Sequence, residues 1–514
     1  MSKTQYLQKD FLFILIKSLS TSEKRQFRLY VNRLGINVDA KFLLLFSEID
    51  KMSEYDEDII LQKKITTKQQ LSNLKAHLYK QILISLRMNP SLQNTVIQLR
   101  EQLDFANILY QKGLHKQALK ILDKAKQTAI DLDEKTIAMD IIELEKIIES
   151  QYITRSIDNR AEDLVRQSHE LSTQNISSTE LSNLSLSLYS EMLKNGYAQS
   201  ENDKENIIKI FNEKTNEINS LKLSFREKLW FYKAHVWKNL LIQDYKHAYK
   251  YCQKWVELFY ENPTMISYHP VWYIKGNTNL MKILFLNGQI TKLEECFEKF
   301  RKITSSKNFI ANENLQTLTF LNIYNTLLNI YFIKGEFFTG TKLIPEIILK
   351  LKKFRDKIDD HHVLILYLKI AAILFGSKNY NESLNYCIKI LQNRSSSIQE
   401  DLAFHTRILA LMSKYESGND EDDEEFIKQT YKFVCKMKNA NKIHYMIVDF
   451  FQNIRDRSQK TKEKLFLDFH KTLNTYKQNQ FYRRTLIYID IQSWVKAKAT
   501  NKDVVEVIKS RISN

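Results

Sequence analysis

Apolar side chains along this chain recur every three or four positions, the period of a helix that buries one stripe against its neighbours. Leu71, Leu74, Leu78, Ile82 and Leu86 form one such stripe. Thr67 and Gln70 stand where a cap would open that helix, and Pro90 lies just beyond its predicted end. Earlier, Ser20 to Glu23 has the spacing of a capping box and predicts a helix running to about Leu34, followed by a second over Lys41 to Met52. The 514 residues contain only 9 Gly and 4 Pro, too little turn chemistry for an all-β fold or a series of βαβ units. The expected fold class is all-α. A chain this long also exceeds the roughly 250 to 300 residues that one hydrophobic core organises, a difficulty that repeated helical units avoid.

The repeats are visible where small and apolar residues share a fixed spacing. In FANILYQKGLHKQALKILDKA, Ala106, Leu109, Gly113, Ala118, Leu122 and Ala125 follow one another at intervals of three, four, five, four and three. Small residues let two helical backbones approach, leucines fill the seam, and Gly113 permits the left-handed turn between them. This segment resembles a tetratricopeptide (TPR) unit, and the resemblance implies a solenoid that binds other macromolecules. Weaker matches follow at Met281, Leu284, Gly288, Leu293, Phe297 and Phe300, then at Leu328, Tyr331, Gly335, Gly340, Ile344 and Ile347. In a third, Ala371, Leu374, Ser383, Cys387 and Ile390, Lys378 replaces the turn glycine; Val236, Ala248, Cys252 and Trp255 mark a fourth, and Leu193 to Gly196 hints at another. Leu293, Gly340 and Ser383 stand 47 and 43 residues apart, longer than a regular TPR unit, and Pro345 should kink or delay its helix. The expected organisation is an irregular TPR-like solenoid over residues 96–440, a small helical module over 1–95 and a helical cap over 441–514. The phrases KSLSTSEKRQFRLY, KFLLLFSEID and DIQSWVKAK also resemble those of a group of bacterial TPR-like proteins of uncharacterised activity.

Charge adds a direction. The net charge is +17, partly a by-product of a sequence rich in Lys, Asn and Ile together. Residues 61–100 carry Lys63, Lys64, Lys68, Lys75, Lys80, Arg87 and Arg100 without one acid, whereas Asp420 to Glu425 is an unbroken acidic run. Cys252, Cys296, Cys387 and Cys435 are far apart, form no metal-binding spacing and read as buried thiols. The apolar run Phe11 to Ile16 is too short for a signal peptide, and nothing approaches the ~18 apolar residues of a membrane span. Cytoplasmic location is expected.

Catalytic chemistry finds little foothold. GEFFTGTK, Gly335 to Lys342, has the two glycines of a phosphate-binding loop, but Thr and Lys stand in reversed order and the flanks are helical. Asp359, Asp360, His361 and His362 are adjacent rather than one turn apart, which reads as a polar helix start and not a metal site. No enzyme activity, cofactor or metal is expected. The first helix of each TPR-like pair would line a groove, and there Trp230, Lys233, Trp237, Lys275, Lys282, Asn322, Asn325 and Asn329 suggest a cationic, amide-rich surface for an acidic protein segment. The sequence thus predicts a non-catalytic adaptor or scaffold. The alternative is a nucleic-acid-associated regulator binding DNA, RNA or the ribosome through Lys63, Lys64, Lys68, Lys75 and Lys80, with the repeats engaging a protein.

Overall fold

A computed structural model describes residues 10–33, 39–89, 94–152, 159–215, 223–306, 309, 312–393, 400–418, 423–455, 457–477 and 479–513. Among these, the regular structure is helical and includes no strand. The chain divides into two compact units, Met1–Ser168 and His169–Asn514.

The first unit begins with α1 (Phe11–Ser18), α2 (Thr21–Arg33), α3 (Asp39–Lys51), α4 (Glu57–Gln62) and α5 (Lys68–Arg87). Their apolar stripes meet in a core that includes Ile16, Phe27, Leu45, Phe46, Leu71, Leu78 and Ile82. The capping box before α2 forms as expected: Ser20 N donates to Glu23 Oε2 at 2.6 Å, and Glu23 N donates to Ser20 Oγ at 3.3 Å. Thr67 holds the cap position of α5, but its side chain makes no capping bond. Leu34 and Pro90 lie outside the described residues. Next come α6 (Thr95–Gln111), α7 (His115–Asp131) and α8 (Lys135–Gln151), and the division into units falls within α9 (Arg160–Asn195). Ala106, Ala118, Leu122 and Ala125 are fully buried where α6 and α7 pack, as their spacing demands.

The second unit is a succession of helix pairs. After α10 (Glu201–Thr215) come α11 (Phe225–Leu241) with α12 (Tyr245–Glu261), a short α13 (Thr264–Tyr268), and α14 (Pro270–Asn287) with α15 (Ile290–Thr304). Then α16 (Glu313–Lys334) meets a second helix broken into α17 (Phe337–Thr341) and α18 (Ile344–Lys353), the restart placing Pro345 in the first turn where its missing N–H costs nothing. The pairs α19 (Asp360–Gly376) with α20 (Tyr380–Leu391), α21 (Glu400–Ser417) with α22 (Asp423–Lys436), and α23 (Lys442–Ile454) with α24 (Gln459–Lys477) complete the succession. From α14 onward each first helix packs against its own partner and against the first helix of the next pair. Turns between partners use the left-handed region: Gly288 and Gly335 supply it without steric cost, but Gln243 and Lys378 adopt φ +58° and +67° in equivalent turns.

The C-terminal helices do more than follow the last pair. Residues in α25 (Gln480–Ile487), α26 (Ile491–Thr500) and α27 (Val504–Ser513) turn back along the earlier ones. Gln243 Nε2 donates to the carbonyl of Phe481 at 3.5 Å, Arg484 pairs with Asp401 at 2.5 Å, Lys378 pairs with Asp503 at 2.6 Å, and Ile508 lies beside Gly335. Trp494 is fully buried among Tyr415, Phe451 and Phe466, and its indole N–H donates to Glu416 at 2.6 Å. Of the four cysteines, Cys252 and Cys387 are buried and Cys296 is partly so; Cys435 is exposed, which corrects the expectation of four buried thiols. Among the described residues no helix is long and apolar enough to cross a membrane.

Candidate binding face

In the second unit α14, α16 and α19 pack side by side as one layer, and α11 meets α14 through Trp230 and Trp272. Their starts are fixed locally. Ser224 and Glu227 form a capping box before α11, the Asn312 side chain accepts from Leu315 N at 2.9 Å before α16, and Asp359 accepts from His362 N at 3.0 Å before α19. Asp359 also holds the His362 ring at 2.6 Å, so this is the polar helix start expected there. No group of three His, Cys, Asp or Glu side chains among the described residues could hold a metal ion. The two glycines of GEFFTGTK serve packing: Gly335 caps α16 in the left-handed region, and a Cβ at Gly340 would meet Ile373 at 2.9 Å.

The predicted groove residues separate into those the layer presents and those it consumes. Trp230 of α11 packs edge-on against Trp272 of α14 at 5.9 Å, and the Lys233 ammonium lies 4.2 Å over the Trp230 ring. Lys233 has no carboxylate partner among the described residues. Burial, then the neighbouring charge of Lys275, pushes it down to about 8. Trp237 packs against Tyr189 at 5.0 Å. Lys275 and Lys282 are seven residues apart on α14, two turns or roughly 10 Å along one face. Asn322, by contrast, is buried between helices, donating to Thr278 Oγ1 and to the Ile274 carbonyl, and ties α16 to α14. Asn325 offers its backbone carbonyl to the ammonium of Lys369 at 3.1 Å, while its side-chain Oδ1 is buried without a partner. Asn329, one turn further, is partly buried.

Lys369 was not anticipated, although the sequence carries a signal for it. It is the only charged residue in the thirteen from Val363 to Phe375. Burial and the charge of Lys282 push it down to about 7. His361 on the same helix is similar: burial, then His362, lowers it, Lys282 contributes, and its Nδ1 is buried without a partner. Beside Lys282 stand Tyr197, Tyr488 and Arg484, of which Arg484 is compensated by Asp401 and lies 3.6 Å over the Tyr197 ring. Burial opposes ionisation of Tyr488, yet Lys282 and Arg484 together pull its phenol below the ordinary value. Tyr197, and after it Tyr488, hold the Lys282 ammonium above its ordinary value, although burial and Arg484 oppose its charge.

The lysines of the first unit are placed differently. Lys63 pairs with Glu48, and Lys75 pairs with Asp10, donates to the Tyr55 hydroxyl at 2.7 Å and covers the Tyr55 ring at 4.6 Å. Lys64, Lys68 and Lys80 are exposed, with Lys64 in the left-handed region. On the ideal 100° per residue of α5, Lys68 and Lys75 share a side and Lys80 lies about 120° away. Of the acidic run, Asp423 pairs with Lys414 at 2.8 Å and Glu424 with Lys428 at 2.7 Å; positions 420–422 lie outside the described residues. A cleft of about 600 Å³ between the α14–α15 turn and the C-terminal helices holds Asp490 and Arg511, already paired at 2.9 Å.

No protein-family model, curated protein or solved structure matches this chain.

Proposed function

We propose that the chain is a non-catalytic adaptor that holds an acidic protein segment along the α11, α14, α16 and α19 layer, read as the groove of a TPR-like solenoid. One observation carries this reading: Lys233 and Lys369 are partly buried, lack carboxylate partners among the described residues, and face the charge of another lysine, Lys275 and Lys282 respectively. A cation withdrawn from water without a counter-charge is unfavourable, and an acidic ligand would remove that penalty on binding. The rings of Trp230 and Trp272 offer an apolar anchor beside Lys233. The paired Lys63 and Lys75 give a polyanion less to gain.

The test is a binding titration of the full chain with labelled acidic, neutral and basic decapeptides and a single-stranded RNA of equal length. The acidic peptide should bind most tightly, and joint reversal of Lys233, Lys275 and Lys282 to Glu should weaken it at least about a hundredfold, each lost charge-assisted contact being worth about tenfold or more. Tighter RNA binding that is lost in Lys68→Glu with Lys80→Glu, and untouched by the groove reversals, would overturn the proposal in favour of a nucleic-acid-associated regulator.

A further inference from the structure

The broken second helix of one pair carries two stripes. Along α17 and α18, Phe337, Gly340, Ile344, Ile347, Leu351 and Phe354 recur every three or four residues and face the core. Lys342 and Leu343, between the two helices, keep right-handed helical backbone, so one projection serves both. On that projection Phe338, Lys342, Pro345, Leu349, Lys352 and Lys353 form a second stripe on the opposite side, and all six are exposed. At 73% and 69%, Phe338 and Leu349 are the most exposed large apolar side chains beyond Ile210, where no other described one exceeds 42%. A single exposed apolar residue needs no explanation, but two this exposed on one stripe, interleaved with lysines, mark a surface built to meet something.

The charge on that stripe has one sign. Glu346 is the only acid from Phe338 to Phe354, and Lys350 takes it at 2.8 Å. Lys342, Lys352 and Lys353 have no carboxylate partner among the described residues, and the Lys342 ammonium lies 5.0 Å over the exposed Phe338 ring. On α9, by contrast, the 66% exposed Leu186 shares its helix with Glu180 and Glu191. Side chains as exposed as Phe338 and Leu349 stand proud of the surface and line no groove, so a folded partner would have to bring the pocket. A second copy of this chain would bring like charge against like. An anionic lipid surface meets neither difficulty: its acyl boundary closes around the two apolar side chains, while the lysine stems lie along them and the ammonium groups reach lipid phosphates. We infer that the outer stripe of α17 and α18 is a peripheral docking surface for a membrane containing anionic lipid. It lies on a second helix, outside the layer proposed to hold an acidic segment, and does not depend on that reading.

Co-sedimentation of the full chain with phosphatidylcholine vesicles, with and without phosphatidylserine, tests this. The wild type should pellet with the anionic vesicles alone, and added salt should release it. Joint Lys342→Gln, Lys352→Gln and Lys353→Gln should weaken that binding about a hundredfold, each lysine near the lipid surface being worth about fivefold. Phe338→Ser with Leu349→Ser should weaken it about tenfold or more, through the lost burial of two apolar side chains. Leu186→Ser, at a comparably exposed site on α9, should change nothing. Phe338→Trp should gain quenching by lipids brominated in their acyl chains beyond that of the wild type, placing this side chain below the headgroups. The substituted side chains are exposed, so circular dichroism of each variant should match the wild type. No binding to anionic vesicles, equal binding to both kinds, or undiminished binding after Phe338→Ser with Leu349→Ser would overturn the inference. An acidic decapeptide released by the three Gln substitutions, with vesicles left unbound, would overturn it in favour of a protein partner. Self-association abolished by Phe338→Ser with Leu349→Ser, again without vesicle binding, would overturn it in favour of a second copy.

Discussion

The lysines of residues 63–80 and those of α11, α14 and α19 share a side chain and differ in circumstance. In the first unit, a lysine drawn toward the protein meets a carboxylate: Lys75 reaches Asp10, and Lys126 reaches the fully buried Glu145 at 2.6 Å, where Arg160 also binds at 2.7 Å. Those without a partner, Lys64, Lys68 and Lys80, stay in water. In the second unit Lys233 and Lys369 are both partly withdrawn from water and, among the described residues, without a carboxylate partner. Density of charge along the sequence therefore does not mark the lysines that are buried without a carboxylate. A paired cation and a hydrated cation are both satisfied, and only the third kind stores a free energy that a ligand can release.

One substitution applied across both regions breaks or sharpens this contrast, because Lys→Met should change sign. The largest effect is expected at Lys126. Its loss leaves Glu145 buried with Arg160 alone, and Lys126→Met should destabilise the first unit by about 3 kcal/mol, the range for breaking a buried pair. Chemical denaturation followed by far-UV circular dichroism measures it. A loss under about 1 kcal/mol would mean that Arg160 suffices and that the pairing is incidental. Lys75→Met comes next, at about 2 kcal/mol, since it removes the Asp10 pair, the Tyr55 hydrogen bond and the ring contact at a site only 18% exposed.

Lys369→Met should reverse the sign and stabilise the ligand-free protein by about 1 to 2 kcal/mol, since it exchanges a partly desolvated charge for an apolar side chain of similar length. Its pH dependence is a second readout. In the unfolded chain a lysine titrates near 10.4, whereas folded Lys369 titrates at about 7. Between those values the unfolded chain binds the extra proton, so wild-type stability should rise as pH goes from about 7 toward 10. The variant should lack that rise. A Lys369→Met protein that is less stable at pH 7 would show that the ammonium is satisfied internally, and the proposed binding face would lose its rationale.

How much of this was legible beforehand depends on whether local or distant residues decide. Helices were legible because their apolar period is local, and the capping box at Ser20 and the restart at Pro345 were readable for the same reason. The turn before Ala248 was readable from QDYKHA, residues 243–248, but the left-handed conformation of its non-glycine Gln243 was not. Asn322 shared the helical period of Asn325 but was consumed by Thr278, 44 residues away, and no spacing rule could reveal that. Lys75 looked like part of a basic face because Asp10 is 65 positions distant in the chain. Lys369 could have been found, as a single charge inside an apolar helix is a local anomaly. The return of the C-terminal helices to Gln243 and Asp401 had no sequence signature at all.

The smallest expected effect, at Lys63, is the sharpest test of how the pairs should be weighed. Lys63 touches Glu48 closely, so a count of ion pairs would rank it with Lys75. Its side chain is 49% exposed, however, and Glu48 keeps a second partner in Lys51 at 3.2 Å. Water screens such a contact, and holding two long side chains in one geometry costs entropy that offsets most of the attraction. Lys63→Met should accordingly shift stability by no more than about 0.5 kcal/mol in either direction, within the range of ordinary surface substitutions. The same denaturation measurement resolves this when run beside Lys75→Met at two salt concentrations. If Lys63 mattered as much as Lys75, pairing rather than burial would set the energy of these lysines, and the unpaired Lys233 and Lys369 would be expected to cost more than their partial burial implies. A near-zero result places the difference in desolvation, the property that separates the proposed binding face from the basic stretch at residues 61–100.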